Sequence, residues 1–298
     1  MIKRTIYIGS SSYLKSKNRQ LIIENRDTGE SSTVPFDDIG VLELDNPQIL
    51  LNNSTLKFLS QENIITIICD EFHNPTSMLL PIVGNTLQSK RFRSQYTSKE
   101  TLKKNLWQTI IKSKIQNQSE ILKTQDVPFE TLIVKIKKVL SGDSSNMEAQ
   151  AAQYYWKNIF DIDKFTRDRY GDYPNNMLNY TYAILRSITC RALVGTGLHP
   201  SIGLFHKNQY NPFCLADDLM EPFRPFADKL VLENYKNYES ANNLTKEQKR
   251  ILLEISYLDV KIENKTRPLM LAVGRMAESL AKSFEEKKNL LVTPCLTE

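Results

Sequence analysis

The sequence predicts an α+β protein, with a small β-rich N-terminal domain at residues 1–84 and a larger all-helical domain at residues 85–298. Up to about residue 80, short apolar runs alternate with turn-forming residues, which is typical of strands. Beyond Pro81 and Gly84, apolar residues recur every three or four positions over long segments, which is typical of helices. The chain of 298 residues is long enough for each domain to bury its own core.

Four strands and one helix are predicted in the N-terminal domain. The strands are short runs of Ile, Leu, Val and Tyr at residues 6–8, 21–23, 41–44 and 64–68. The helix follows Ser54, which we expect to be its N-cap because a serine oxygen accepts a hydrogen bond from the first helical turn.

Seven helices are predicted in the second domain. They lie at residues 87–122, 128–140, 145–160, 174–194, 215–235, 246–258 and 268–284. Pro174 and Pro268 support two of the starts, because proline is favoured in the first helical turn. Pro222 and Pro225 lie inside the fifth helix, where each removes a backbone donor, so we expect a kink just beyond Glu221.

The composition excludes several classes of protein. Hydrophobic residues make up 41% and charged residues 24%, which argues against a disordered or fibrous chain. The four cysteines are far apart and form no C-x-x-C pair, so neither a zinc ribbon nor a disulfide framework is predicted. No apolar run approaches the roughly 20 residues that span a bilayer, and the first run is too short for a signal peptide. We therefore expect a cytoplasmic protein with no membrane partner.

Basic residues are concentrated between Lys90 and Lys138. Twelve Lys or Arg and four acids lie in this segment, which gives it a net charge of +8, whereas the whole chain carries only +5. Such a concentration suits a surface that contacts the phosphate backbone of a nucleic acid. A solvated, lysine-rich helix face has the same composition, so the sequence leaves the role of this segment open.

One imidazole and three carboxylates lie within sixteen residues, at His206, Asp217, Asp218 and Glu221. Asp218 and Glu221 are three positions apart on a predicted helix, so their side chains project from one face. Oxygen ligands with a single imidazole suit Mg²⁺ or Mn²⁺ better than a structural zinc ion. The helix dipole also favours acids in a first turn without any metal, so spacing alone does not decide. Arg224 either contacts a phosphate or pairs with these acids.

Glu148 opens the third predicted helix and has two interpretations. In a capping box, Ser145 accepts a hydrogen bond from the amide of Glu148, and the Glu148 side chain reaches back to the amide of Ser145. In the second interpretation Glu148 is a metal ligand, and the alanines after it leave room for a substrate backbone. Spacing alone favours the cap.

Three motifs occur in one order along the chain. They are Glu148 followed by an alanine-rich stretch and Tyr-Trp, the run Pro-Ser-Ile-Gly-Leu-Phe-His that ends at His206, and the run Asp-Asp-Leu-Met-Glu-Pro-Phe-Arg-Pro that contains Glu221. In this the chain resembles the CRISPR-associated spacer-integration endonucleases, the first-numbered Cas family, over nearly its full length. The residues after His206 and the compact length are similar to members from type II systems.

The resemblance implies a small N-terminal β-sandwich-like domain through which a homodimer forms, and an active site in the helical domain. By the matching positions Glu148, His206 and Glu221 are the catalytic residues and the ligands of Mg²⁺ or Mn²⁺. Asp218 matches a nearby acidic position of the motif, whereas Asp217 has no counterpart.

The implied activity is that of a metal-dependent DNA endonuclease and integrase in CRISPR adaptation. It inserts double-stranded protospacer DNA into a CRISPR repeat through attack of a 3′-hydroxyl on a phosphodiester. The implied partners are the small second-numbered Cas protein, which joins two dimers in a heterohexameric complex, and other type II Cas proteins. Two further hypotheses give these acids another role or another substrate. One is a non-catalytic DNA-binding scaffold, and the other is a stand-alone nuclease that repairs branched DNA.

Overall fold

The structure, a computed structural model, describes residues 4–238 and 243–296. Two four-stranded sheets form the N-terminal region and a mostly helical region follows them, as the sequence predicts. Residues 1–3, 239–242 and 297–298 of the two predicted domain ranges lie outside the described residues.

Each N-terminal sheet combines parallel and antiparallel strands. The first has the order β1 (Arg4–Ile8), β5 (Ile39–Leu44), β7 (Ile65–Cys69) and β8 (Pro75–Leu79). The second has the order β4 (Ser31–Pro35), β3 (Gln20–Asn25), β2 (Ser12–Lys17) and β6 (Leu50–Leu51). In the first sheet β1, β5 and β7 are parallel and β8 is antiparallel. The four predicted strands correspond to β1, β3, β5 and β7.

Side chains alternate along β5, so this strand contributes to two cores. Leu42 and Leu44 pack in a cluster with residues of the second sheet such as Leu14 and Leu21. Val41 belongs to the larger cluster that the helices form. Successive side chains of a strand point to opposite faces. The second sheet therefore covers one face of the first sheet, and helices cover the other.

The helix of the N-terminal region, α1, spans Asn53–Gln61 and begins differently from the prediction. Its N-cap is Asn52, which has extended backbone and whose Oδ1 accepts a hydrogen bond from the amide of Thr55 at 2.8 Å. Ser54 lies inside the first turn, and its hydroxyl accepts a hydrogen bond from Ser16 at 2.7 Å. The prediction of Ser54 as N-cap was wrong, because the better-placed Asn52 precedes it.

The helices of the second region form its core. In the described residues they are α2 (Gln88–Tyr96), α3 (Glu100–Thr124), α4 (Glu130–Lys138), α5 (Met147–Asn158), α6 (Asn175–Gly195), α7 (Cys214–Met220), α8 (Arg224–Asn234), α9 (Lys246–Leu252) and α10 (Leu269–Glu286). None of these described helices combines the length and apolar composition needed to cross a membrane.

The first predicted helix is divided into α2 and α3. The hydroxyl of Thr97 donates to the carbonyl of Arg93 at 2.8 Å, and Thr97 is the C-cap of α2. Thr and Ser side chains compete for backbone hydrogen bonds in this way, and the Thr97-Ser98 pair therefore weakens a continuous helix.

A short hairpin that the sequence analysis did not predict lies between α9 and α10. It consists of β9 (Asp259–Ile262) and β10 (Lys265–Pro268), which pair antiparallel. The two turn residues between the strands both have positive φ, 52° at Glu263 and 59° at Asn264. This conformation is that of the tight hairpin turns whose twist matches the twist of the strands.

The predicted kink beyond Glu221 is confirmed. The helix α7 ends at Met220, a 3₁₀ turn spans Glu221–Phe223, and α8 starts at Arg224. Pro222 and Pro225 provide no backbone donor, so the α-helix is interrupted and restarts here.

Candidate active site

Glu148 is placed by a cap at the start of α5, but the capping-box interpretation was wrong. The two carboxylate oxygens of Asp143 accept hydrogen bonds from the amides of Met147 and Glu148 at 2.9 and 3.0 Å. The hydroxyl of Ser145 donates instead to the carbonyl of Lys138 at 3.0 Å. Asp143 therefore satisfies the first amides of the helix, and the Glu148 side chain is available for another partner.

Glu221 is held in a buried position by the proline-interrupted helix. It is the first residue of the 3₁₀ turn between α7 and α8 and is 4% exposed. Asn117 of α3 donates to the carbonyl of Pro222 at 2.8 Å and accepts a hydrogen bond from the amide of Leu296 at 3.0 Å. The long helix α3 is therefore fixed against the turn that carries Glu221.

Lys114, which the sequence analysis did not single out, lies on α3 between the two glutamates. Its Nζ is 2.7 Å from Glu148 Oε1 and 2.6 Å from Glu221 Oε2. The structure thus brings together two carboxylates that are 73 positions apart in the sequence. One ammonium group joins them.

Lys114, Glu148, Glu221 and Arg224 form a cluster of charged groups, and charges in it shift the pKa values of their neighbours. Burial raises the pKa of Glu221, but the positive charges of Arg224 and Lys114 outweigh it and leave that pKa below its ordinary value. Burial lowers the pKa of Lys114, but Glu221 and Glu148 outweigh it and leave that pKa above its ordinary value. Both groups are therefore charged near neutral pH.

His206 is fixed by Asp218, which is completely buried. Asp218 Oδ1 lies 2.6 Å from His206 Nδ1. The same carboxylate accepts hydrogen bonds from the amides of Leu204, Phe205 and His206, at 2.6, 3.0 and 3.2 Å. The hydrogen bond to Asp218 raises the pKa of His206, and burial opposes this rise. In the neutral imidazole the lone pair then lies on Nε2, where a ligand binds.

An aromatic stack supports the loop that carries His206. The rings of Trp107 and Phe205 are parallel within 3°, with centroids 4.5 Å apart. The Trp107 ring also meets the His206 ring edge-on at 5.9 Å. Trp107 is buried on α3, so the helix that provides Lys114 also supports the imidazole.

Two residues whose roles the sequence left open take part in ion pairs. Arg224 Nε lies 3.0 Å from Glu221 Oε1, so Arg224 pairs with one of the acids. Asp217 Oδ1 lies 2.7 Å from Arg186 Nε, and its other oxygen accepts a hydrogen bond from Asn211 at 2.7 Å. Asp217 therefore belongs to a different pair from the two glutamates.

The side chains of Glu148, Glu221 and His206 offer the kinds of donor atom that suit a hard divalent ion. Glu221 Oε2 is buried and accepts no hydrogen bond of good geometry from the described residues, although Lys114 Nζ lies 2.6 Å away. Two carboxylates with one imidazole nitrogen are ligands that suit Mg²⁺ or Mn²⁺. Across residues 4–238 and 243–296, however, no three His, Cys, Asp or Glu side chains are grouped closely enough to hold an ion as they stand. Between Glu148 and Glu221 the positive charge is that of Lys114.

A cleft beside the cluster is lined by four arginines, Arg167, Arg169, Arg186 and Arg224, and we call it the arginine cleft. Its volume is about 510 Å³, and a second cavity of about 620 Å³ shares Arg169 and Arg186 with it. Sequence reasoning missed this feature because the arginines lie on a loop, on α6 and on α8, and only the fold brings them together. The one local signal was the pair Arg167 and Arg169 just before α6.

Arginines around a cleft suit the phosphates of a nucleic acid, and the acids beside it suit a divalent ion. Comparison with known families specifies the class. Residues 6–263 match the family described as CRISPR associated protein Cas1. The chain belongs to this family.

Individual relatives agree with this assignment. The chain is 35% identical over 289 residues to the CRISPR-associated endonuclease Cas1 of Neisseria meningitidis serogroup C (strain 8013), a match that covers 96% of this chain and 94% of the relative. Among solved structures it is similar to a casposase bound to an integration product, with a TM-score of 0.78 and 20% identity over 98% of this chain and 92% of that one. It is also similar to a chain of a Cas6-RT-Cas1–Cas2 complex, with a TM-score of 0.72 and 17% identity over 96% of this chain and 35% of that one.

Proposed function

We propose that the protein is a metal-dependent DNA integrase and endonuclease that inserts protospacer DNA into a CRISPR array. The observation that carries the proposal is the convergence of Glu148 and Glu221 on one position, with a single positive charge between their carboxylates. Family membership and the 35% identical endonuclease support the class of reaction.

In this proposal Glu148, His206 and Glu221 hold the ion, which is Mg²⁺ or Mn²⁺. A divalent ion bound there supplies charge for the phosphoryl oxygens and acidifies the attacking hydroxyl. Asp218 orients the imidazole so that Nε2 is the ligating nitrogen. Arg224 keeps the carboxylate of Glu221 ionised and in place.

The arginine cleft supports the proposal that DNA is the substrate. Four guanidinium groups around one cavity suit the phosphates of a strand that leads to the cluster, because arginine binds phosphate oxygens in pairs. Arg224 lies in both places, since it lines the cleft and pairs with Glu221. A phosphate in the cleft is therefore brought next to the glutamates.

We infer that the protein works as a homodimer whose contact is made by the N-terminal sheets, together with the small second Cas protein, Cas2. The fold of a chain from a Cas6-RT-Cas1–Cas2 complex supports this partner, and that of a casposase bound to an integration product supports the reaction. The heterohexameric stoichiometry and the type II partners rest on the motif resemblance.

A strand-transfer assay tests the proposal. The protein and Cas2 are incubated with protospacer duplex and a supercoiled plasmid that bears a repeat, with and without Mn²⁺. We expect Glu148→Ala, His206→Ala and Glu221→Ala each to abolish strand transfer while DNA binding persists. The matched control is Glu120→Ala, because this side chain is exposed about as much as that of Glu148, 26% against 24%, and also pairs with a lysine.

The outcomes separate the competing hypotheses. Full integration by any of the three variants, or in the presence of EDTA, contradicts the proposal. Salt-sensitive DNA binding with no product under any condition supports the non-catalytic scaffold. Cleavage of branched DNA without Cas2, and no integration with it, supports the stand-alone nuclease.

A further inference from the structure

Lys114 lies between Glu148 and Glu221 and offsets the repulsion of their carboxylates, whereas Arg224 pairs with Glu221. Lys114 Nζ lies within 2.7 Å of both carboxylates, and the lysine and Glu221 are 9% and 4% exposed. Two carboxylates in a buried site do not both stay ionised and close together unless a cation joins them. Lys114 therefore keeps the two side chains together.

The place of Lys114 on α3 shows that it serves the site rather than the surface. Trp107, Ile110 and Ile121 are buried on this helix, and Lys114 lies four positions from Ile110 and seven from the other two, on the same face. A lysine in such a stripe is unfavourable unless its charge is paired. The two glutamates are the partners that stabilise it.

The ammonium group is close to both carboxylates. It donates a hydrogen bond to Glu148 Oε1 at 2.7 Å, and it lies 2.6 Å from Glu221 Oε2. A divalent ion that binds the same two oxygens therefore has to take the place of the ammonium group.

We propose that Lys114 is an internal counter-ion that competes with the divalent ion for Glu148 and Glu221 and leaves their carboxylates when the ion binds. The inference rests on the proposed function, since it takes both glutamates as ligands. It has two consequences. Lys114 stabilises the metal-free protein, and it weakens the apparent affinity for metal because its ion pairs must break first.

Mn²⁺ binding to Lys114→Met tests this inference without any assay of activity. We expect the variant to bind Mn²⁺ at least about tenfold more tightly than wild type in titration calorimetry, because no ammonium group has to leave. We also expect a lower Tm without metal and a larger rise in Tm on adding Mn²⁺. The matched control is Lys112→Met, which lies two positions away on α3, on a different face, and should bind Mn²⁺ like wild type.

The outcomes distinguish this inference from the proposed function. Equal or weaker Mn²⁺ binding by Lys114→Met, with binding by wild type, overturns the inference alone. Absence of Mn²⁺ binding by both proteins overturns the proposed metal site itself. If Lys114→Met does not fold without metal, Lys114→Gln takes its place with the same expected gain. Lys114→Arg keeps the charge and should bind Mn²⁺ no more tightly than wild type, so tighter binding by it also contradicts the inference.

Discussion

The carboxylate of Asp218 fixes both the ring of His206 and the backbone that leads to it. One oxygen contacts Nδ1 of the ring, and together the two oxygens accept hydrogen bonds from three consecutive amides. An ionised carboxylate only accepts hydrogen bonds, and here every contact is with a donor. Asp218 is therefore a positioning residue that acts through His206.

Asp218→Asn tests this role, because the amide group of asparagine places a donor against groups that also donate. We expect strand transfer to fall about 10- to 100-fold, as is usual when the group that orients a ligating histidine is lost. We also expect the pKa of His206 to fall, since the hydrogen bond to Asp218 raises it. An NMR titration of the ring protons measures this pKa.

The chain has three histidines, which makes the titration simple to assign. The His206→Ala spectrum identifies the His206 signals, and His199, whose ring contacts Ser201, is the internal control. A merely structural role for Asp218 would lower activity without a specific change at His206. An unchanged His206 pKa in Asp218→Asn therefore contradicts the assignment.

At the scale of residues, the sequence singled out the acids and the imidazole as candidates, but it did not reveal which groups hold them. Glu148, His206 and Glu221 were visible because their residue types and order are informative. Lys114 was hidden among twelve basic residues in a segment that is also compatible with a solvated face. The feature of the sequence that pointed to Lys114 was its position on the apolar face of α3, seven residues after Trp107.

At the scale of elements, the start of α5 is set by a turn that spacing alone does not reveal. Asp143 and Asn146 have left-handed backbone, with φ of 50° and 52°. A capping box needs extended backbone at the N-cap, and the left-handed N-cap Asn146 does not provide it. The turn instead directs the Asp143 carboxylate to the first amides of the helix.

Replacement of Asp143 measures this cap. We expect Asp143→Ala to lower the free energy of unfolding by about 1 kcal/mol, because two amides at the helix start lose their acceptor. Ser145→Ala should change it by less than about 0.5 kcal/mol, since Ser145 lies outside the cap. Urea denaturation measures the free energy of unfolding of both variants. An equal loss in the two would show that Ser145 contributes to the cap as much as Asp143 does.

Strands differed in how well the sequence predicted them. The central strands β5 and β7 were clear because an apolar run is what a strand covered on both faces requires. The edge strands β4, β6 and β8 were missed, and so was β2 inside the second sheet. These strands are short or carry polar residues such as Lys15, Ser31 and Ser77, so they depend on pairing with a neighbour. Long-range pairing of this kind leaves little trace in local composition.

At the scale of the whole molecule, buried polar groups join the N-terminal sheets to the helices. Glu43 of β5 accepts hydrogen bonds from the hydroxyl of Tyr180 on α6, at 2.6 Å to each oxygen, and from the thiol of Cys69 at 3.2 Å. Two positions along the chain, Asp45 pairs with Lys249 of α9 at 2.7 Å. The boundary after residue 84 stays a prediction, and these contacts couple its two sides.

Glu43 makes this coupling depend on pH. Burial raises its pKa from 4.5 to about 7, although the hydrogen bond from Tyr180 opposes the rise. The folded protein therefore binds this proton more tightly than the unfolded chain does. The stability that the proton contributes is complete below about pH 4.5 and is lost as the pH rises through 7.

Glu43→Gln tests this dependence, because glutamine has nearly the shape of a protonated glutamate but does not titrate. Since one pKa unit corresponds to about 1.4 kcal/mol, the free energy of unfolding of Glu43→Gln should rise by a few kcal/mol relative to that of wild type from pH 5 to pH 8. Urea denaturation at both pH values measures this gain. A constant difference between the two proteins would show that Glu43 stays ionised in the fold and that the contact with Tyr180 stabilises the carboxylate.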